Sequence, residues 1–159
     1  MQSIALSDSH LLSIRSHAEN TYPEECCGLL LGQVTGDVKT LVEVLPTKNA
    51  WSAEAEDHCP EQKVLTKQRR YAILPEDLLK AMKDGRDRDL AIIGIYHSHP
   101  NCAAIPSECD RTLAWPQYSY IIVSVRQGCS EDLRSWSLDT SHKFQAEEIL
   151  TVEPTQIKK

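Results

Sequence analysis

The sequence predicts a single domain of mixed α and β structure (class α/β, or α+β), with a mixed central sheet flanked by helices. The 159 residues fit one compact domain that can bury a core. Short apolar runs bounded by glycine, typical of buried strands, alternate with amphipathic helical segments. Neither an internal repeat nor a shift in composition divides the chain. We therefore expect one domain over residues 1–150 and a polar tail over residues 151–159.

The first predicted helix covers Ser7 to Asn20, where apolar residues recur at helical spacing. Ser7 or Asp8 can cap its first turn. The Tyr22-Pro23 step should end the helix, because proline disfavours the α conformation in the residue before it. The other predicted elements, in chain order, are a hairpin of strands Cys26–Gly32 and Val38–Leu45, a short strand Arg70–Leu74, a helix Pro75–Lys83 closed by Asp84-Gly85, the strand Leu90–Tyr96, a short helix opened by Ser107 and ending near Trp115, the strand Tyr118–Val125, and a closing pair Leu133–Asp139 and His142–Ile149.

Residues 49–68 have no clean hydrophobic period and mix Trp51 with many charged side chains. We predict a long loop or insertion here. Loops of this length in compact domains are usually functional or mobile.

Charge and composition exclude several classes of function. The net charge is −6, and the longest basic cluster is Lys67-Gln68-Arg69-Arg70. A nucleic-acid partner would require a basic face, so none is expected. No stretch approaches the roughly 20 apolar residues that span a bilayer, so we expect no membrane partner. Residues 1–9 lack the build of a secretory signal, which favours a cytoplasmic protein.

Six cysteines occur in the sequence, and none of them forms a C-x-x-C pair. A zinc ribbon and a thioredoxin-like redox site are therefore not expected. Without an export signal, the cysteines are interpreted as reduced thiols. This includes Cys102 and Cys109, which flank the candidate metal ligands described next.

Two histidines follow the strongest strand signal of the chain. His97 and His99 are two positions apart, so on a strand they point to the same face. Paired imidazoles can bind one metal ion, and catalytic zinc often adds one carboxylate and a water. Asp110 is the candidate carboxylate. Ser107 lies three residues before it, on the same face of a predicted helix, so the two side chains should lie close together.

The pattern formed by His97-Ser98-His99, seven residues, Ser107, two residues and Asp110 resembles the signature of the JAMM (MPN+) metallopeptidase family. Further similarity to the bacterial branch of that family lies in Gly94-Ile95-Tyr96 and in Trp115-Pro116 with the strand that follows. The resemblance implies a JAMM/MPN domain whose layering is similar to that of cytidine deaminases. It also implies a Zn²⁺ ion held by His97, His99 and Asp110.

The same family places a catalytic glutamate in a Pro-x-Glu-x-Cys-Gly-type segment ahead of a Leu-Leu-Gly strand. Counting from Pro23 and back from Gly28 selects Glu25, with the adjacent Glu24 as the alternative. The resemblance implies that Glu25 moves the proton of the attacking water and that the hydroxyl of Ser107 stabilises the oxyanion. Ser98 should point to the opposite face of the strand and have a structural role.

The function that this resemblance implies is zinc-dependent hydrolysis of a peptide or isopeptide bond. The bond would follow the C-terminal glycine of a ubiquitin-like or sulfur-carrier β-grasp protein with a Gly-Gly end. By analogy with insertions that flank the cleft in this family, residues 49–68 are our candidate for substrate gating. The sequence leaves the substrate and a homo-oligomeric state open.

Several alternatives remain at this stage. A non-catalytic MPN scaffold would bind partners only. A zinc nucleobase deaminase would need His-x-Glu followed by Pro-Cys-x-x-Cys; His17-Ala18-Glu19 has only the first spacing. Ser107 and Asp110 could also be a capping box without a catalytic role. The other histidines are interpreted as surface or satisfied core residues, and Trp115 as core or wall.

Overall fold

The structure is a computed structural model that describes residues 2–51 and 71–152. Within these ranges the chain forms seven strands and three helices. Their bounds are β1 Ser3–Leu6, α1 Asp8–Thr21, β2 Cys27–Thr35, β3 Val38–Thr47, α2 Pro75–Asp87, β4 Ala91–Pro100, α3 Glu108–Thr112, β5 Ser119–Arg126, β6 Cys129–Leu138 and β7 Phe144–Thr151. Since β7 includes Thr151, the sheet extends one residue beyond the predicted domain end at residue 150.

The seven strands form one closed sheet in the order β1-β3-β2-β4-β5-β6-β7. β1 pairs in parallel with both β3 and β7 and thereby closes the sheet. β4 and β5 are also parallel, whereas the remaining pairs are antiparallel. The predicted mixed α and β class is confirmed. No strand was predicted at Ser3–Leu6, because four residues carry too little pattern and β1 is stabilised by pairing with segments distant in sequence.

The largest hydrophobic cluster lies between α1 and the sheet. Ile14 and Ala18 of α1 are fully buried there against sheet residues such as Ile4, Leu41 and Ile121. The predicted N-cap is confirmed. The Ser7 hydroxyl accepts a hydrogen bond from the His10 amide, and the His10 ring accepts one from the Ser7 amide. Helix α1 ends at Thr21, just before Tyr22, as the Tyr22-Pro23 step predicts.

Helix α2 extends further than the sequence suggests, because Gly85 lies inside it rather than closing it. A Cβ atom at Gly85 would lie 2.9 Å from the carbonyl oxygen of Leu90. The glycine therefore permits close packing at this point, where the Leu90 amide also donates to the Gly85 carbonyl over 2.7 Å. The predicted short strand at residues 70–74 is wrong for the described residues 71–74, which form no sheet ladder.

Strand β4 lies between β2 and β5 and brings the histidines into the sheet itself. The strand continues to Pro100, so His97 and His99 lie within it rather than after it. Cys27 of β2 is the register partner of His97 on one side, and Ile122 of β5 on the other. The sheet therefore fixes the backbone of His97 on both sides, whereas His99 is paired on one side only, with Ser124 of β5. No helix within the described ranges is long and apolar enough to cross a bilayer.

The expectation that all cysteines are reduced is wrong for Cys109, which is buried and disulfide-bonded. Cys26, Cys27, Cys102 and Cys129 are free, and Cys59 lies outside the described residues. The expectation rested on the inferred compartment, which does not determine which thiols the fold brings together.

Candidate metal centre

Three side chains from two separate segments converge at the end of β4. The Nε2 atoms of His97 and His99 lie 3.1 Å apart. The Oδ2 atom of Asp110 lies 3.4 Å from the first and 3.2 Å from the second. The sequence predicted this triad, and within the described residues it forms a group that could hold a metal ion.

The position of Asp110 is fixed by the start of helix α3. The Asp110 amide donates to the Ser107 hydroxyl oxygen over 3.0 Å, and the Ser107 amide donates to Oδ2 of Asp110 over 2.8 Å. This reciprocal pair is the capping box that the spacing allowed. The cap and the candidate site coexist, because the Ser107 hydroxyl accepts in the cap and keeps its own proton to donate.

The electrostatics of the triad favour the protonation states that a cation requires. Burial lowers the pKa of His97, against the opposing effect of the Asp110 carboxylate. Burial alone would raise the pKa of Asp110, but His97 and His99 outweigh it and hold that pKa well below its usual range. At neutral pH the site therefore contains an ionised carboxylate facing a neutral His97 imidazole, and metal ligands must be deprotonated in this way.

The geometry of the triad fits zinc. In a tetrahedral zinc site with bonds of 2.0–2.1 Å, neighbouring ligand atoms lie about 3.3 Å apart. The three separations here are 3.1, 3.2 and 3.4 Å. Two imidazole nitrogens and one carboxylate oxygen are a ligand set of the catalytic type, in which three protein ligands leave the fourth position for water or substrate.

The two histidine rings are oriented by different neighbours. Nδ1 of His99 lies 2.8 Å from the carbonyl oxygen of Ala103, so that hydrogen bond fixes its ring. Nδ1 of His97 is buried and has no hydrogen-bond partner among the described residues. Instead, the ring of Tyr71 stacks on the His97 ring, with centroids 4.5 Å apart and planes inclined by 22°. Sequence reasoning missed Tyr71, because nothing in its local pattern indicates a contact with β4.

Glu25 lies two residues before β2, the strand that borders His97. It is 6% exposed, whereas Glu24 is exposed to solvent. The backbone carbonyl of Glu25 accepts a hydrogen bond of 3.0 Å from the side-chain amide of Asn49. Of the two glutamates, only Glu25 is buried, and its role as proton carrier stays a prediction. Asn49 was not identified from the sequence, where it marks only the start of the predicted insertion.

The remaining predictions have mixed outcomes. Ser98 points away from the metal ligands as predicted, and its hydroxyl accepts from the Cys26 amide over 2.8 Å. Trp115, interpreted as core or wall, is 59% exposed, so the core interpretation is wrong and the wall interpretation stays a prediction. The histidines outside the triad that the structure describes have polar partners, namely His10 with Ser7 and Val42, His17 with Tyr96, and His142 with Arg111. His58 and most of the 49–68 segment lie outside the described residues.

Comparison with known proteins decides the family. The family model described as prokaryotic homologs of the JAB domain matches residues 7–139. The chain belongs to this prokaryotic JAB-domain family. This match confirms the resemblance to JAMM/MPN proteins that was inferred from the spacing of His97, His99, Ser107 and Asp110.

Two curated relatives of this prokaryotic JAB-domain protein have named activities. The desampylase of Haloferax volcanii is 30% identical over 142 residues, which cover 89% of this chain and 84% of the relative. The CysO-cysteine peptidase of Mycobacterium tuberculosis is 29% identical over 124 residues, covering 77% and 74%. Both relatives are hydrolases by name, which supports hydrolase activity for the JAB-domain protein.

A solved structure supports the fold of the JAB-domain protein. The solution structure of a protein from Desulfitobacterium hafniense has a TM-score of 0.75 and 29% identity, and the match covers 94% of this chain and 93% of that one. The deaminase alternative is not supported. His17 lies on α1 against Tyr96, Glu19 accepts from the Ser130 amide, and neither belongs to the metal triad.

Proposed function

We propose that this JAB-domain protein is a zinc-dependent hydrolase. It cleaves a peptide or isopeptide bond after the C-terminal glycine of a ubiquitin-like or sulfur-carrier β-grasp protein. The observation that carries the proposal is the convergence of His97, His99 and Asp110 at separations of 3.1–3.4 Å. The names of two relatives, a desampylase and a CysO-cysteine peptidase, support this class of substrate.

The metal triad, Glu25 and Ser107 each have a separate role in the proposed hydrolysis. Zinc, when held by the triad, supplies an activated water at neutral pH. Glu25 accepts the proton of the attacking water and delivers it to the leaving amine. The hydroxyl of Ser107 donates a hydrogen bond to the oxyanion that develops on the scissile carbonyl. The capping box holds Ser107 and Asp110 in a fixed mutual geometry, so the oxyanion donor and the metal ligand move together.

The second candidate function is a non-catalytic MPN scaffold, and the complete ligand triad argues against it. A scaffold has no need for two buried histidines facing an ionised carboxylate, because such polar groups are costly to bury without a function or a partner. The two candidates differ in turnover, which a single experiment can measure.

The experiment uses a β-grasp carrier protein that ends in Gly-Gly and is joined through its terminal carboxylate to an amine. Zinc-loaded wild-type protein is expected to cleave this adduct, and a chelator should abolish cleavage. Glu25→Gln should retain zinc and lose turnover, because the amide cannot carry the proton. Glu24→Gln is the matched control and should behave as wild type. A zinc-loaded wild-type protein that cleaves neither isopeptide nor cysteine adducts would instead support the scaffold.

A further inference from the structure

The two histidines of the triad differ in what holds their rings in place. Metal-binding histidines almost always donate their second ring N–H to a carboxylate, carbonyl or water, which fixes both tautomer and ring orientation. His99 follows this rule through the Ala103 carbonyl. His97 does not, although its side chain is 1% exposed and Nδ1 has no hydrogen-bond partner among the described residues. Within the described part of the chain, the contact that holds the ring of His97 is therefore of another kind, the stack on Tyr71.

The structure assigns that role to Tyr71, as a positioning residue whose stacked ring holds the imidazole of His97 in the plane that metal binding requires. The inference rests on the proposed metal site. The centroid separation of 4.5 Å and the inclination of 22° correspond to direct ring stacking. A cation held by His97 would withdraw electrons from the imidazole, and the electron-rich face of the Tyr71 phenol would stabilise such a ring.

Tyr71 is a neutral aromatic ring in this environment. Burial raises the pKa of its phenol well above the usual value, and the nearby charges of Asp110 and Glu25 act in the same direction. The phenol is therefore neutral at neutral pH.

The backbone beside Tyr71 is held by Asn49. The Ala72 amide donates to the Asn49 side-chain oxygen over 3.2 Å, and the Ala50 amide donates to the Ala72 carbonyl over 2.9 Å. The same Asn49 side chain donates to the backbone carbonyl of Glu25. One buried amide thus connects the segment that carries Tyr71 to the segment that carries Glu25. The stack on His97 is consequently held by the fold and not by the ring contact alone.

The experiment measures zinc affinity by competition with a chromophoric chelator, which is independent of turnover. Tyr71→Leu and Tyr71→Met remove the aromatic plane, and both are expected to lose about 10-fold to 100-fold in zinc affinity, the usual effect of removing a group that orients a ligand. Tyr71→Phe keeps the ring and should retain wild-type affinity within a few-fold. The cobalt-substituted Leu and Met variants should also show an altered visible absorption spectrum, whereas the Phe variant should not.

Tyr118→Leu is the matched control, because Tyr118 is half-buried and packs against a cluster formed by Ala114, Tyr120 and Leu138. It should lose stability without losing zinc affinity. The inference is overturned if folded Leu or Met variants bind zinc as the wild type does, or if Tyr71→Phe loses as much affinity as they do. Wild-type protein that binds no zinc would contradict the proposed function itself, so the two failures are distinguishable. If Tyr71→Leu does not fold, Tyr71→Met decides the question.

Discussion

The Nε2 atom of His99 lies 3.2 Å from the Oδ2 atom of Asp110, which brings strand β4 and helix α3 together at a single point. Replacing Asp110 by Asn removes the charge at this point and retains the shape. Zinc affinity should fall by more than the 10-fold to 100-fold that is typical when only a supporting residue is lost. Competition with a chelator measures the change.

The control for Asp110→Asn is Glu108→Gln, which neutralises an exposed carboxylate in the same helix. Glu108 pairs only with the nearby Arg111 among the described residues. This variant should bind zinc as the wild type does, since exposed pairs contribute little. Equal losses in the two variants would mean that general acidity of α3, and not ligation by Asp110, attracts the metal.

Ser107 combines a structural and a chemical role, and a second capped helix allows the two to be separated. Ser107→Ala should lower the free energy of unfolding by about 1 kcal/mol through the lost cap. It should also lower turnover by about 10²–10³ through the lost oxyanion donor. Ser7→Ala removes the equivalent cap from α1, far along the chain from the metal triad.

The two serine variants are compared by chemical denaturation and by adduct cleavage. Ser7→Ala should lose a similar amount of stability and keep wild-type turnover. Ser107→Ala with wild-type turnover would rule out the oxyanion role and leave the capping box as the sole function of this serine.

The side chain of Asn49 is expected to matter for catalysis through its hydrogen bond to the backbone carbonyl of Glu25. Asn49→Ala removes the donor to the Glu25 carbonyl and the acceptor of the Ala72 amide. We expect a loss of about 1–3 kcal/mol in the free energy of unfolding, as for other buried hydrogen-bonding groups. The turnover number should fall more than the Michaelis constant changes, because Glu25 is displaced while the substrate surface remains.

Asn101→Gly provides a comparison for Asn49→Ala. Asn101 also uses its side chain to connect segments, through Tyr22 and Gln127, and its φ of 57° suits glycine. This exposed position should tolerate the change with wild-type turnover. If Asn49→Ala also turned over at the wild-type rate, the connection from Asn49 to Glu25 would have no catalytic importance.

Features that depend on a local sequence pattern could be predicted from the sequence. Features that depend on contacts between segments distant in sequence could not. His97 and His99 share a face because strand side chains alternate, and Ser107 and Asp110 share one because three residues make about one helical turn. Tyr71 carries no comparable signal, since its contact with His97 exists only after two distant segments meet. Strand β1 was missed for the same reason, as its pairing with β3 and β7 is what stabilises it.

Metal-free protein should become less stable as the pH falls below neutrality. Burial lowers the pKa values of His10, His17 and His97, which favours their neutral forms in the folded state. The unfolded chain binds protons near pH 6.5, so this contribution is fully present above that value and is lost as the pH falls toward the lower folded-state pKa values.

Chemical denaturation of the metal-free protein between pH 7.5 and about 5.5 measures this pH dependence. The range lies above pH 4, near which ordinary carboxylates titrate, so their protonation does not contribute. His17→Gln should show a shallower dependence than the wild type. A free energy of unfolding that rises on acidification across this range would contradict the burial of neutral imidazoles.

X-ray absorption at the zinc edge of protein loaded with one equivalent of zinc tests the central claim most directly. The account predicts a four-coordinate site of nitrogen and oxygen ligands at about 2.0–2.1 Å, including two imidazoles and no sulfur. The six cysteines of the chain offer a direct contrast, because zinc–sulfur bonds are longer, at about 2.3 Å. Sulfur scattering, or a spectrum with fewer than two imidazoles, would contradict a zinc ion held by His97, His99 and Asp110.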